Sequence, residues 1–390
     1  MWLHLKPTHS KTLLALTSSA LALPGVVAVS SANADTPPAV SVLSYRASSY
    51  KEDDLDASVL FAGSAERYDI KVHQLRYSAP VGEKYSFSLD SSYESMSGAS
   101  PWYTVESVNG DAKVAMSGAT IYEKRRDITA AGRRYFDSGN LGISLTISDE
   151  NDYRSNSMAV DGSFTLANNS TTISGGASYS DDELSPTDAL LFNRIPSATK
   201  ANSSAFVSVT QILNQFSILQ SGISTARASG FLSDPYKLVD RRPEERNQFT
   251  WTTSWRRYFR AQTSALHANY RYYDDDFGVS SHTLDLSLHK TFRRSITLVP
   301  SLRYYQQDAA DFFTPASDFL QASDFNSADF RLSSYGALSA GLKLNARVGK
   351  YTLVLSGERY KADAGLGGSG ASSPGIIDFT RLSAGIDFTF

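Results

Sequence analysis

One stretch decides the fold, and it reads Leu382-Ser383-Ala384-Gly385-Ile386-Asp387-Phe388-Thr389-Phe390. Apolar residues occupy every second position from Leu382 to Phe390, and small or polar residues fill the positions between them. Successive side chains of a β-strand point to opposite faces of the sheet. The stretch therefore predicts a strand with one apolar and one polar face.

The same alternation recurs in about sixteen segments of the chain. The clearest are 85–93, 141–147, 158–166, 249–255, 266–272, 284–288 and 296–304, whereas 39–50, 66–78 and 214–224 alternate poorly. Most are close to the length of about 9–11 residues with which a tilted strand crosses a bilayer. Strands satisfy their backbone groups in lipid only when the sheet closes. We predict an all-β fold, a transmembrane antiparallel up-and-down β-barrel of about 16 strands, with fourteen strands as the alternative.

Short and long connections alternate between these segments. Tight turns are expected near 80–82, 137–140, 168–169, 213–214, 259–260, 292–294 and 349–350. The other connections lie near 50–65, 96–123, 150–155, 181–201, 225–246, 275–280, 307–331 and 361–377. Outer-membrane barrels have short periplasmic turns and longer extracellular loops. This alternation therefore favours a membrane barrel over a soluble sandwich.

Both ends of the chain agree with export to the outer membrane. Lys6 and Lys11 precede a mostly apolar stretch, and Ala32-Asn33-Ala34 is a small-x-small cleavage site, so we expect a signal peptide over 1–34 and a barrel over 35–390. An uncleaved N-terminal anchor is the alternative. The aromatic residue Phe390 at the end of an amphipathic strand is similar to the C-terminal signal of Gram-negative outer-membrane barrels. We expect the barrel assembly machinery to read it.

Composition excludes several function classes. The 390 residues contain no Cys, so no disulfide or thiolate site can form, and the formal charge of −3 gives no general attraction for nucleic acid. The chain is rich in aromatic residues, with 21 Tyr, 20 Phe and 4 Trp, and no Pro- or Gly-rich linker divides it. We therefore expect one domain after residue 34, with outer-membrane lipid and lipopolysaccharide as its surroundings and no nucleic-acid partner.

Strand parity predicts which charged side chains line a pore. If Leu284, Leu286 and Leu288 meet lipid, the residues between them face the lumen, where charge costs far less than the about 2–4 kcal/mol of an Arg at the bilayer midplane. The predicted pore-lining residues are Arg256, Arg271, Arg303, Lys343, Arg381, His267, Asp285 and Asp387. The basic residues could form a positive wall that favours anionic solutes. Alternatively they pair with luminal acids and hold the wall together, which is the interpretation we favour.

Neither catalysis nor metal binding is expected. The loops carry acidic clusters at 52–56, 274–276 and 308–329, which resemble no EF-hand and are expected to be solvated. His267 and Asn269 share a predicted face, but no serine can be assigned to them. His282 and His289 fall on opposite faces. We expect no enzyme activity, no cofactor and no metal site.

Some motifs resemble a known family. They are Tyr50-Lys51-Glu52-Asp53-Asp54, Ser97-Gly98-Ala99-Ser100-Pro101, Ser117-Gly118-Ala119-Thr120 and Glu123-Lys124-Arg125-Arg126. These segments are similar to the Gram-negative outer-membrane family called domain of unknown function 3570. The resemblance implies an outer-membrane barrel without a settled activity. It also implies an association with small lipoproteins, thioredoxin-like proteins and flavin-transferring enzymes, so a small lipoprotein is a further candidate partner.

The longest predicted connection, 96–123, is rich in apolar and aromatic residues, including Trp102, Tyr103 and Met116. Loops of this length are usually functional. It could fold into the lumen as a constriction or cover the rim of the barrel. We predict a channel or porin-like pore for small solutes in the outer membrane. The alternative is an occluded barrel that serves as a binding or assembly scaffold for periplasmic or surface partners, with a link to redox chemistry.

Overall fold

The computed structural model describes residues 36–117, 121–293, 295–320 and 322–390. The predicted signal peptide over 1–34 lies outside the described residues, and the division at residue 35 stays a prediction. Most of the described residues lie in β-strands, and two short 3-10 helices occupy Phe330–Leu332 and Ala364–Leu366. No described helix is long and apolar enough to cross a membrane.

The strands, in chain order, are β1 (Val42–Glu52), β2 (Leu60–Ala62), β3 (Asp69–Val81), β4 (Tyr85–Gly98), β5 (Pro101–Glu106), β6 (Ala112–Met116), β7 (Ile121–Phe136), β8 (Gly139–Glu150), β9 (Tyr153–Thr165), β10 (Thr171–Leu184), β11 (Ala198–Asn214), β12 (Ser217–Gly230), β13 (Asp240–Arg241), β14 (Glu245–Phe259), β15 (Ser264–Asp275), β16 (Ser280–Phe292), β17 (Ile296–Gln307), β18 (Asn326–Ser327), β19 (Tyr335–Val348), β20 (Tyr351–Asp363) and β21 (Phe379–Thr389).

Sixteen of these strands form one closed antiparallel barrel in which chain neighbours pair around the ring. The barrel closes where β1 pairs with β21, in a register that runs from Val42 opposite Thr389 to Glu52 opposite Phe379. Phe390 extends this pairing, because its backbone N–H and C=O both bond to Ser41 at 3.0 Å. The predicted fold class and the count of sixteen are confirmed, and the alternative of fourteen strands is wrong. The poorly alternating segments form β1, β3 and β12.

The two faces of the barrel wall differ sharply, as β8 illustrates. Ile143 and Leu145 are 54% and 58% exposed, whereas the intervening Ser144 and the next residue, Thr146, are buried. Because alternate residues of a strand face opposite sides, the exposed apolar residues face outward and the buried small polar residues face the barrel interior. The outward apolar band has the composition of a lipid-facing surface.

The two ends of the barrel also differ. Seven short turns connect the strands at one end, which we call the turn end, and eight mostly longer connections lie at the other, which we call the cap end. The tight turn between β3 and β4 places Gly82 at φ +62°, a conformation that favours glycine. The cap end contains two small sheets outside the barrel, β2-β6-β5 and β13-β18.

Candidate functional site: the lumen and its loop cap

Connections from distant arcs of the ring meet over the cap end. The backbone N–H of Leu238, between β12 and β14, donates to the carbonyl oxygen of Trp102 at 3.0 Å. The N–H of Thr104 donates to Oγ of Ser317, between β17 and β19, also at 3.0 Å. Such contacts can form only across the barrel mouth. We call the set of these connections the loop cap, comprising residues 53–68, 99–117, 231–244, 308–320, 322–334 and 364–378.

The long connection predicted over 96–123 contributes the β5–β6 hairpin to the loop cap. Its base is buried, because Val114 and Met116 pack with Leu55 and Ala99 in one apolar cluster. Its tip is in solvent, since Val108 is fully exposed. The hairpin therefore spans the mouth, with a buried base and a tip directed into the surrounding water.

An aromatic layer lies beneath the cap, on the interior face of the strands. Tyr360 and Phe379 stack with ring centroids 4.6 Å apart, and Tyr50 lies 4.7 Å from Phe379. Tyr305 and Tyr335 belong to the same buried cluster. Sequence reasoning missed this layer because these residues share the parity of the polar face. Their position near the cap end of each strand is the signal that could have revealed it.

A buried network of charges fastens two cap connections together. We call it the ionic latch, and it comprises Asp234, Asp240, Arg242, Asp329 and Arg331. Arg242 lies 2.9 Å from Asp240 and 2.8 Å from Asp329, and all three side chains are almost completely buried. Arg331 bonds to Asp329 and lies 3.3 Å from Asp234. Burial alone would raise the pKa of Asp329, but Arg331, Lys237 and Arg242 hold that pKa well below its usual value.

The prediction that the acidic loop clusters are solvated is wrong at several positions. Asp329 is completely buried, and Glu52 is buried against Arg67 with an N–O distance of 2.8 Å. Asp275 is buried and paired with Arg246. Arg331 is only two residues from Asp329, but Arg242, Arg67 and Arg246 come from other strands or connections, so the sequence near each acid does not reveal them.

Below the aromatic layer, many positions of the interior wall carry small polar side chains. Interior positions include Ser44, Ser88, Thr129, Ser144, Ser174, Ser178, Ser204, Ser208, Gly222, Ser287, Ser301, Gly341, Ser356 and Ser383. Many pair across strands, as Ser178 and Ser204 do through their hydroxyls at 2.7 Å. The hydroxyls of such side chains can bond to water.

Several predicted pore-lining charges lie in ion pairs along this wall. Arg303 lies 2.5 Å from Asp285, and Arg381 lies 2.5 Å from Glu358. Asp387 is held by Arg46 at 2.6 Å. The interpretation that luminal charges pair with one another agrees with these contacts. The pore-lining assignment itself stays a prediction.

The remaining predicted residues lie on β14, β15 and β19. Arg256 is directly opposite His267 in the register, and the ring of His267 lies 4.0 Å from that of His289. Both Arg256 and Lys343 are within electrostatic range of His289. His289 is not among the predicted pore-lining residues, although it has the same parity as Asp285. We call Arg256, His267, His289 and Lys343 the basic cluster.

Arg271 stands apart from the basic cluster, with its guanidinium 5.3 Å from the ring centre of Tyr273. Within the described ranges, no carboxylate oxygen lies within 4.0 Å of a nitrogen of Lys343 or Arg271. These two cations therefore differ from Arg303 and Arg381, whose charges are neutralised by neighbours on the wall.

One group of carboxylates has a spacing that could hold a metal ion. Glu123, Glu150 and Asp152 place ligand oxygens within 4.8 Å of one another at the cap end of β7 and β8. Arg125 lies 3.7 Å from Glu150, and the hydroxyl of Tyr236 donates to Asp152. A cation would have to compete with these groups for the same oxygens.

Comparisons with known proteins identify one family that matches this chain. The family described as "Protein of unknown function (DUF3570)" matches residues 13–380. The search of curated proteins found no match.

Solved structures share the architecture at low identity. CdiB from Acinetobacter baumannii aligns with a TM-score of 0.52 and 8% identity, over 90% of this chain and 60% of CdiB. A bacterial polysaccharide outer membrane secretin gives a TM-score of 0.49 with 10% identity, covering 90% of this chain and 98% of the secretin. The siderophore receptor PirA from Pseudomonas aeruginosa gives 0.46 with 12% identity, covering 88% and 61%. The likeness to CdiB concerns the fold of outer-membrane barrels, and the chain spans 60% of that protein.

Proposed function

The chain belongs to the DUF3570 family, and we propose that it is an outer-membrane channel for small solutes whose outer mouth is closed by the loop cap. Its location in the outer membrane is supported by the outward apolar band and by the architecture it shares with outer-membrane barrels. In the outer membrane, the cap end faces the outside of the cell and the turn end faces the periplasm.

The small polar interior wall is the observation that carries the proposal. A 16-stranded barrel is wide enough for an aqueous channel unless its interior is filled. Here large buried side chains concentrate near the cap end, in the aromatic layer and the loop cap. The wall below them carries many Ser, Thr and Gly residues, with ion pairs such as Arg303–Asp285 between them. A solute that passes the cap would therefore meet a hydrated polar surface.

Single-channel conductance in planar bilayers tests this proposal. The full-length barrel should show low or intermittent conductance, because the loop cap closes the mouth. Deleting residues 101–117, which removes the β5–β6 hairpin, should raise the open-channel conductance severalfold. The matched control deletes residues 189–192, which form an exposed segment between β10 and β11 and should leave the conductance unchanged.

A second candidate function is a closed barrel that serves as a scaffold, and the ionic latch favours it. A buried charge network that joins two connections is suited to holding a surface in one shape. The same deletion separates the candidates. A hairpin-deleted barrel that inserts and still conducts no ions would contradict the channel and support the scaffold.

We also propose that the barrel is not an enzyme. Oγ of Ser287 lies 3.4 Å from Nε2 of His289, but the charged neighbours of that imidazole are Arg256 and Lys343. A serine nucleophile needs a base that is oriented by an acid or amide. Two cations beside the histidine oppose the imidazolium that such a base must form.

Assembly through β21 and Phe390, and contact with a small lipoprotein, remain part of the proposal.

A further inference from the structure

The outward face near the cap end carries three cations on two strands, which we call the basic patch: Lys71 on β3, and Lys124 and Arg126 on β7. All three side chains are exposed. In the register, Ser95 of β4 lies between Lys71 and Lys124. Since neighbouring strands are about 4.8 Å apart, the two lysines are about 10 Å apart across the wall.

The basic patch lies at the edge of the apolar band. Leu75 on β3 and Ile128 on β7 are the last outward aliphatic residues of their strands towards the cap end, and both are about half exposed. His73 and Arg126 follow them towards the cap end, with Tyr93 between the two in the register. Cations at this depth cost little, about 0–1 kcal/mol, because they reach the interface. They therefore face the headgroup layer of the outer leaflet.

The charges of the patch are not neutralised by the protein. In the described part of the chain, no carboxylate oxygen lies within 4.0 Å of a nitrogen of these three residues. Arg126 instead lies 5.9 Å from the ring centre of Tyr93. The nearest acids along the strands and register are Asp69 and Asp149. Asp181 and Glu183 face outward on β10, and further outward cations lie at Lys51 on β1 and Arg154 on β9, so the positive charge extends beyond β3 and β7.

A groove in the outer wall adjoins the patch. It has a volume of about 690 Å³ and spans β19, β20, β21, β1 and β3. Its floor has the small residues Ala47, Ala384 and Gly357, where Ala47 is directly opposite Ala384 and Gly357 is opposite the larger Leu382. Larger lining residues are Leu342, Leu344 and Leu355, and Lys71 and His73 belong to its edge. The groove thus offers apolar surface that ends at a cation.

We propose that the groove and the basic patch together bind one phosphorylated, acylated glycolipid of the outer leaflet. Acyl chains occupy the groove between the leucines, and phosphate groups contact Lys71, Lys124 and Arg126. Each Lys or Arg near a membrane surface attracts anionic lipid independently of any fold-specific pocket. The groove adds an apolar binding surface for the acyl chains. A second copy of this chain is a poorer occupant, because two patches facing each other would bring like charges together.

Native mass spectrometry of the full-length barrel, titrated with bis-phosphorylated lipid A in phosphatidylcholine nanodiscs, tests the proposal. The Lys71→Gln/Lys124→Gln variant should bind about thirtyfold more weakly. The charge-matched control Lys84→Gln/Lys350→Gln, at the turn end, should bind like the unmodified barrel. Lys71→Arg/Lys124→Arg should retain binding, which separates lost charge from a folding defect.

The groove is tested by Ala47→Leu/Ala384→Leu, which fills its floor with outward side chains and should weaken lipid A binding about tenfold. Inorganic phosphate at millimolar concentration should not displace the lipid. Three results would overturn the proposal: equal weakening by both charge variants, displacement of lipid A by inorganic phosphate, or a dimer whose formation excludes lipid. The conductance of the barrel does not enter this test, so its outcome is independent of the proposed channel.

Discussion

At the scale of single residues, the loop cap depends on carboxylates that water does not reach. Asp329 is completely buried between Arg242 and Arg331, and it accepts bonds from both. Such a pair contributes little net stability compared with an apolar replacement, but removing one partner leaves an uncompensated buried charge. The ionic latch should therefore be sensitive to changes that preserve shape and alter charge.

Asp329→Asn is the direct test of the latch. The amide keeps the size of the side chain but leaves Arg242 and Arg331 without their shared acid, which should destabilise the loop cap by about 3–5 kcal/mol. Hydrogen exchange of the cap backbone should become much faster while exchange in the barrel strands stays the same. Asp324→Asn changes an exposed acid of the same connection and serves as the control. Equal protection in both variants would contradict a role for the latch.

The pH dependence of the cap follows from the same residue. The pKa of Asp329 is depressed in the folded protein, so its stabilisation is present above the ordinary carboxyl pKa of about 4 and is lost as the pH falls through the lower folded value. Cap protection should be constant from pH 8 to pH 5 and should fall only at more acidic pH. Loss of protection near pH 6 would mean that a different group, with a pKa near neutrality, controls the cap.

At the scale of the element, neighbouring residues of one strand face different environments, the lipid on one side and the barrel interior on the other. On β10, Ala177 faces outward and Ser178 faces the interior, where its hydroxyl bonds to that of Ser204. The alternation that reveals the strands in the sequence is thus the same property that separates lipid from lumen. Parity could be predicted from sequence, because it depends only on the geometry of a strand.

A matched pair of substitutions measures this separation. Ala177→Arg places a guanidinium in the apolar band and should cost about 2–4 kcal/mol of folding free energy, whereas Ser178→Arg, one residue away, should cost much less. Reversible unfolding in phospholipid vesicles gives both values. Similar costs for the two variants would contradict the assigned faces of β10.

The β5–β6 hairpin and the aromatic layer mark the limit of prediction from sequence at this scale. The connection over 96–123 was recognisable by its length and apolar residues, but its partners are not. Trp102 and Thr104 bond to residues more than one hundred positions further along the chain. Such contacts depend on how connections from separate parts of the barrel pack together over its mouth, and no local sequence pattern predicts which connections will meet.

At the scale of the whole molecule, closure and charge balance decide the properties of the lumen. The strand count, the alternation of turns and the face of each strand could be predicted because they depend on local periodicity. The pairing of Arg303 with Asp285 and of Arg381 with Glu358 could not be assigned residue by residue, because those pairs depend on register between strands. The same limitation hid the approach of His289 to His267.

Charge balance leads to a prediction about selectivity. Since Lys343 has no carboxylate within 4.0 Å among the described residues, it should contribute more to anion preference than the paired Arg303. In the barrel that lacks residues 101–117, Lys343→Gln should shift the reversal potential in a salt gradient towards cation preference. Lys350→Gln, in the turn after β19, is the matched control. An unchanged reversal potential would leave Lys343 without a role in permeation.

The wall groove crosses the seam between β1 and β21, so it is complete only after the barrel has closed. Arg46 and Asp387 meet across this seam although 341 positions separate them in the chain, so the pairing of β1 with β21 closes a very long loop. Ala47 and Ala384 lie on the outside of the same seam, and the groove has lining residues on both sides of it. An open sheet has two separate half-sites. A glycolipid would therefore bind fully only to the closed barrel. Bound lipid would stabilise the closed barrel against opening between β1 and β21.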